Sequence, residues 1–222
     1  PSVFFRLSMC NLTCKGFASE DSPHGCDSFI SWSVKNKMTF NEIFEYFEKH
    51  KLISKLKNGA IFKITGGEPM VQQKQLLKFI EQFIKKYDFH PVIDFETNAT
   101  IQPDERWVKD FLATFTTSPK LTSNGDPEAR TYKPKVLKWH RDIGSGFKFV
   151  INKSEDIDEI WRKYVDEKDV NIPKHRIWFM PCSGSRQEHV EKAPAVAEYA
   201  KAMNVNFSPR LHLLLWDMAL KV

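Results

Sequence analysis

The sequence has no apolar run approaching the roughly eighteen residues that a membrane span needs, which excludes the ordinary transmembrane-helix classes. No secretory leader is visible, so a reducing cytoplasmic setting is expected. There is no low-complexity segment and no internal repeat, which argues against linker-like chains and stacked-repeat architectures. Cysteine is scarce, with four in 222 residues. That is too few for a disulfide scaffold in a chain of this length. Basic residues exceed acidic ones by only five, and the two signs are interleaved. A nucleic-acid partner is therefore not expected, nor is a membrane partner.

What is present is an ordinary globular balance, 41% hydrophobic and 27% charged. It predicts one domain over residues 1–222 with a sizeable core. The chain opens directly on an apolar run, so residues upstream are expected. The run 3–8 reads as a strand, and a Ser, Asp, Gly and Asn-rich loop follows over 9–36. Thr39 looks like an N-cap with Glu42 as its capping-box partner, and the spacing of Ile43, Phe44, Phe47 and Leu52 predicts an amphipathic helix over 40–56. Asn58-Gly59 ends it. Further strands are predicted at 60–64, 91–95, 114–117, 147–151, 176–180 and 205–207. Helices are predicted at 72–87, 103–112, 156–165 and 187–203. The stretch 121–135, with Asn124-Gly125-Asp126-Pro127, reads as a loop.

Strands alternating with helices predict an α/β fold with a mostly parallel sheet. In such sheets ligands meet the carboxyl ends of the strands. The unusual peptides fall there: Cys10 after the first strand, Thr65-Gly66-Gly67-Glu68 after the second, Glu96-Thr97-Asn98 after the third and Ser118-Pro119-Lys120 after the fourth.

Three of the four cysteines, Cys10, Cys14 and Cys26, lie within seventeen positions. Clustered thiols in a reducing setting point to an inorganic centre. Three ligands leave one metal position open for chemistry. An iron–sulfur cluster, a zinc site completed by His24, and plain or disulfide-bonded cysteines all stay open on spacing alone. Cys182 is remote in sequence and reads as a free thiol. The Gly66-Gly67 pair permits close backbone approach to a ligand, although a plain strand-to-helix turn explains it equally. Glu68 beside it suits the ammonium of an amino-acid-like ligand. Arg6 in a central strand needs an anionic partner, either a substrate carboxylate or a buried acid. Ser28 offers a hydroxyl to a hard cation or to a loop cap. His212 stands in an apolar tail, where a core role is the commoner one.

Taken together the motifs resemble the radical S-adenosylmethionine enzymes, and within them the 7-carboxy-7-deazaguanine synthase family. The resemblance lies in Phe5-Arg6-Leu7-Ser8-Met9-Cys10-Asn11-Leu12, Cys26-Asp27-Ser28, Thr65-Gly66-Gly67-Glu68-Pro69 and Phe95-Glu96-Thr97-Asn98-Ala99-Thr100, followed by Ser118-Pro119-Lys120, Phe147-Lys148-Phe149-Val150 and Arg210-Leu211-His212-x3-Trp216. It spans nearly the whole chain. It implies a partial, open β/α barrel that works as a homodimer. Cys10, Cys14 and Cys26 would hold a [4Fe–4S] cluster, with S-adenosyl-L-methionine on the open iron. Gly25, Cys26, Asp27, Gly67, Glu68, Glu96, Asn98, Ser118, Pro119 and Lys120 would surround that cofactor. Arg6, Thr65 and His212 would contact the substrate, and Ser28 would ligate Mg2+. The implied reaction is the ring contraction of 6-carboxy-5,6,7,8-tetrahydropterin to 7-carboxy-7-deazaguanine with loss of ammonia. Electrons would come from a flavodoxin- or ferredoxin-like protein. The chain departs from the family pattern in the eleven residues between Cys14 and Cys26 and in Ala99 after Asn98. A small activase-type radical enzyme or a zinc-binding scaffold are the alternative readings.

Overall fold

The computed structural model describes residues 1–20, 23–34 and 36–219. Residues 21, 22 and 35 of the expected cysteine loop, and the last three residues of the expected domain, lie outside the described residues. The chain divides into two compact units.

The first unit comprises Pro1–Asn11, Ile30–Thr97 and Ile101–Phe115. Its elements are β1 (Ser2–Leu7), most of α1 (Phe29–Ser33), α2 (Phe40–Lys49), α3 (Leu52–Lys57), β2 (Ile61–Gly66), α4 (Gln73–Tyr87), β3 (Ile93–Thr97) and α5 (Arg106–Lys109). β4 (Thr114–Thr117) leads out of it. β1 pairs with β2 in parallel, with Arg6 opposite Thr65, and β2 pairs with β3. β1 stands first in the strand order, and Arg6 is exposed on it. The premise of an arginine in a central strand is thereby corrected, and no buried acid is needed to pair it.

α2 starts at the expected capping box: the Glu42 N–H donates to Thr39 Oγ1 at 3.3 Å, and the Thr39 N–H donates to the Glu42 carboxylate at 2.6 Å. The single helix expected over 40–56 is instead α2 and α3. Continuing α2 would carry Lys51 onto the buried stripe of Phe44 and Phe47, since residues three and seven positions on share a face. Lys51 turns left-handed (φ 55°), and α3 buries Leu56 in its place. The helix expected over 103–112 shrinks to α5, because the Asp104 carboxylate accepts the Arg106 N–H at 3.0 Å and forms a local turn. The core is aromatic. Phe79 on α4 has its ring centroid 5.2–6.4 Å from those of Phe5, Phe40, Phe44, Phe47 and Phe83.

The second unit comprises Leu12–Phe29, Asn98–Thr100 and Thr116–Val222. It contains α6 (Glu128–Thr131), α7 (Pro134–Asp142), β5 (Gly146–Ile151), α8 (Glu155–Ile160), β6 (Ile177–Pro181), α9 (Arg186–Met203), β7 (Asn206–Phe207) and α10 (Leu211–Trp216). β4, β5, β6 and β7 pair in that order, all parallel. The expected helix over 156–165 runs as α8 and then widens to a π turn at Trp161–Val165 that buries Tyr164. α7 was not anticipated. Pro134 opens it, where a missing N–H costs nothing, and it buries Val136, Leu137 and His140. The core gathers Leu137, Phe147, Phe149, Ile160, Tyr164 and Phe179.

Among the described residues seven strands run in chain order and pair in parallel within each unit, the α/β class expected. Among the described residues no helix is long and apolar enough to cross a membrane.

His140 is fully buried, and burial pushes its imidazole down to about 3. Its folded value lies below its unfolded one, so its neutral form costs nothing above pH ~6.5 and an increasing penalty below it. At about 1.4 kcal/mol per pH unit, urea titrations at pH 6.5 and pH 5 should differ by about 2 kcal/mol more for the parent protein than for His140→Gln. Equal losses in the two proteins would contradict this.

Candidate cofactor site

The second unit holds two of the three clustered cysteines. Cys14 is buried and takes a left-handed backbone (φ 53°), which strains a non-glycine residue. The Asp126 carboxylate compensates. It accepts the Cys14 N–H at 2.8 Å, the Thr13 N–H at 3.0 and 3.2 Å, and the Thr13 hydroxyl at 3.0 Å. Burial raises the Asp126 carboxyl, but the Cys14 and Thr13 donors outweigh it, with Arg130 adding to them, so it lies below the ordinary carboxylate value. Gly25 (φ 76°) crosses directly over this loop: a Cβ there would lie 2.3 Å from the Cys14 carbonyl oxygen. Only glycine lets the chain pass so close on its way to Cys26.

Cys14, Gly25, Cys26, Asp27 and Lys120 line one cavity, together with Cys182 and Arg210. Asp27 forms an ion pair with Arg210 and accepts the Ser28 hydroxyl at 3.1 Å. Packing around Asp27 raises its carboxyl. Arg210, the Ser28 hydroxyl, Lys120 and Lys148 more than offset this and hold it low. Arg210 also donates to the Ser183 carbonyl at 2.5 Å, and its backbone N–H donates to His189 Nε2 at 3.4 Å. Lys120 Nζ donates to the Ser118 carbonyl and hydroxyl at 2.8 and 2.9 Å, which folds the Ser118-Pro119-Lys120 peptide back on itself. Asn98 Oδ1 accepts from the Thr100 N–H at 3.0 Å and hydroxyl at 2.6 Å, and Ala99 takes the left-handed turn (φ 58°). His212 is exposed on α10, so the core role weighed for it does not hold. Partial burial and the Arg210 cation depress its imidazole.

The first unit carries the other predicted residues. Glu68 is wholly buried, and its Oε1 accepts the Met70 N–H at 2.9 Å and the Thr97 hydroxyl at 2.8 Å. Thr65 donates to Glu96 at 3.2 Å. A Cβ on Gly67 would meet the Met9 carbonyl oxygen at 2.0 Å and Cys10 Cβ at 2.8 Å. Its N–H donates to the Leu7 carbonyl at 3.1 Å. The close approach that the glycine permits is thus to the chain's own cysteine loop at Cys10. Arg6 and Ser8 line a separate groove with Gln72, Phe40 and Phe79.

Sequence reasoning missed Asn124, Asp126, Cys182 and Arg210. Cys182 follows β6, and the rule that sites gather at strand ends would have found it. Burial pushes its thiol up to about 11, so it stays protonated at neutral pH. The donor chemistry of this unit suits an iron–sulfur centre: Cys14 and Cys26 face one cavity, and the Asn124 amide donates to the Cys14 sulfur at 3.7 Å. Among the described residues no three His, Cys, Asp or Glu side chains form a metal-holding group, so the fit rests on this pair.

Residues 2–114 match the family described as a 4Fe–4S single cluster domain. A 7-carboxy-7-deazaguanine synthase from Hyperthermus butylicus is 27% identical over 219 residues, covering 96% of this chain and 83% of its own length. One from Pyrobaculum aerophilum is 27% identical over 99% of this chain and 87% of its own. One from Aquifex aeolicus is 29% identical over 96% of this chain and 83% of its own.

Asp126→Ala leaves the Thr13 and Cys14 donors without their acceptor, so chemical denaturation should show a loss of about 3 kcal/mol. The Asp126 contribution is present above the ordinary carboxylate pKa and fades as pH falls through the lower folded value. The gap between parent and variant should therefore narrow below pH ~4. A gap that widens in acid would refute the assignment.

Proposed function

This chain belongs to the 4Fe–4S single cluster domain family, and from that membership we propose that it converts 6-carboxy-5,6,7,8-tetrahydropterin into 7-carboxy-7-deazaguanine by radical S-adenosylmethionine chemistry. The names of its relatives support the product. The observation that carries the reading is the convergence of Cys14, Cys26, Asp27 and Lys120 on one cavity.

Cys10, Cys14 and Cys26 would hold the [4Fe–4S] cluster, with one iron left for the amino and carboxylate groups of S-adenosyl-L-methionine. When bound and reduced by a flavodoxin- or ferredoxin-like protein, this pair supplies a 5'-deoxyadenosyl radical. The chain's own residues bind and orient. Asp27 and Lys120 put an anion and a cation at the same cavity, the charge pair that an amino-acid-like ligand requires. Gly25, Cys26, Ser118 and Pro119 supply the neighbouring backbone, and Asn98 the turn at Ala99. Gly67, Glu68 and Glu96 belong to the same cofactor set in this reading. Glu68 acts there as a brace, since Thr97 and Met70 hold its carboxylate. Arg6 suits the carboxylate of the pterin. Thr65, already bonded to Glu96, and His212 offer its ring polar partners. Ser28 ligates Mg2+. The substrate's atoms are those of the product plus one ammonia, so the overall conversion is redox-neutral. The family resemblance further implies a homodimer working in the cytoplasm.

Anaerobically reconstituted protein given reductant, S-adenosylmethionine, Mg2+ and the pterin should yield the deazaguanine, read by mass spectrometry. A zinc-loaded, colourless protein that forms no product would sink the proposal. Ser28→Ala should shift the Mg2+ dependence of turnover while leaving iron content unchanged. Turnover indifferent to Mg2+ in the parent would remove that role.

A further inference from the structure

We infer that Asn124 is a positioning residue for the Cys14 sulfur, aiming an amide N–H at it and so raising the reduction potential of the cluster that sulfur would hold. The inference rests on the cluster reading given above. Asn124 is fully buried. Its Nδ2 donates to Cys14 Sγ at 3.7 Å and to Asp126 Oδ2 at 3.1 Å, and its Oδ1 accepts the Asp126 N–H at 2.9 Å. These partners fix the orientation of the carboxamide. A flipped amide would set oxygen against the sulfur and the carboxylate and turn its NH2 toward the Asp126 N–H. The N–H therefore points at sulfur by necessity of the surrounding turn.

The turn itself is held in place by packing. A Cβ on Gly16 would lie 2.3 Å from the Ser123 carbonyl oxygen, so the turn and the cysteine loop touch backbone to backbone. Asp126 ties the same turn to the Thr13 and Cys14 amides. The donor is thus built into the loop and has no freedom to swing away. Reduction of an iron–sulfur centre adds negative charge that its sulfurs share. An N–H directed at a buried sulfur stabilises the reduced state more than the oxidised one, because little water competes there. This asymmetry is what raises the potential.

Asn124→Ser retains an oxygen that can accept the Asp126 N–H in the same kind of turn, but it is too short to reach the sulfur. The full chain, reconstituted anaerobically with iron and sulfide, is titrated electrochemically and followed by electron paramagnetic resonance. Asn124→Ser should take up as much iron as the parent. Its reduced-to-oxidised ratio at a fixed potential should fall about tenfold, which is about 59 mV for a one-electron couple, with altered g-values. A purely structural role predicts the same midpoint and the same spectrum, and that result overturns the inference while leaving the cluster reading intact. A parent protein that takes up no cluster overturns the cluster reading and this inference with it. Should circular dichroism show Asn124→Ser unfolded, Asn124→Thr, whose hydroxyl can accept the Asp126 N–H in the same kind of turn but is too short to reach the sulfur, takes its place and should likewise lower the potential.

Discussion

The Asp126 carboxylate is the fixed point of the cysteine loop. A buried anion has to be met by donors, and here they are the Thr13 and Cys14 amides, the Thr13 hydroxyl and the Asn124 amide. Because the two segments lie 112 residues apart in the chain, satisfying this one charge closes a long loop. The closure holds Cys14 in a left-handed conformation that it would not keep alone. It also leaves just enough room for Gly25 to pass over Cys14 and deliver Cys26 to the same cavity. Sulfur placement in this unit therefore follows from electrostatics at Asp126 and from the missing side chain at Gly25.

A second set of contacts works from the other end of the chain. Arg210 joins Asp27 to the Ser183 carbonyl and, through its backbone, to His189. The residue after the third clustered cysteine is thus tied to the loop that leaves β6 and to the C-terminal segment. Lys120 adds a second cation, itself anchored on Ser118. The result is a cavity lined by sulfur donors and paired charges that are already held in place.

Much of this was legible in the sequence. The capping box at Thr39 and Glu42 and the alternation of strands and helices each follow from local pattern and were borne out, as was the family resemblance carried by the ordered motifs. The break at Lys51 within the helix expected over 40–56 was missed because the helical stripe looks continuous until one asks which residue the next turn would bury. α7 was missed because its apolar residues, Val136, Leu137 and Trp139, form a short run broken by Lys138, and only the core packing of Val136, Leu137 and His140 makes it a helix. Arg6 was weighed as if β1 were a central strand, and strand order is not a local property. Asn124 and Asp126 were read as a turn signal, which they are. Their bonds to Thr13 and Cys14 are invisible until the chain folds, because nothing in the local sequence marks a partner more than a hundred residues away.

The central claim is that these cysteines hold a cluster with one iron open to S-adenosylmethionine. The most direct measurement is the electron paramagnetic resonance spectrum of the reduced, anaerobically reconstituted protein, recorded before and after S-adenosylmethionine is added. The account predicts a [4Fe–4S] signal whose g-values shift when S-adenosylmethionine binds. A signal that S-adenosylmethionine leaves unchanged, or a protein that carries zinc and shows no signal at all, would contradict it.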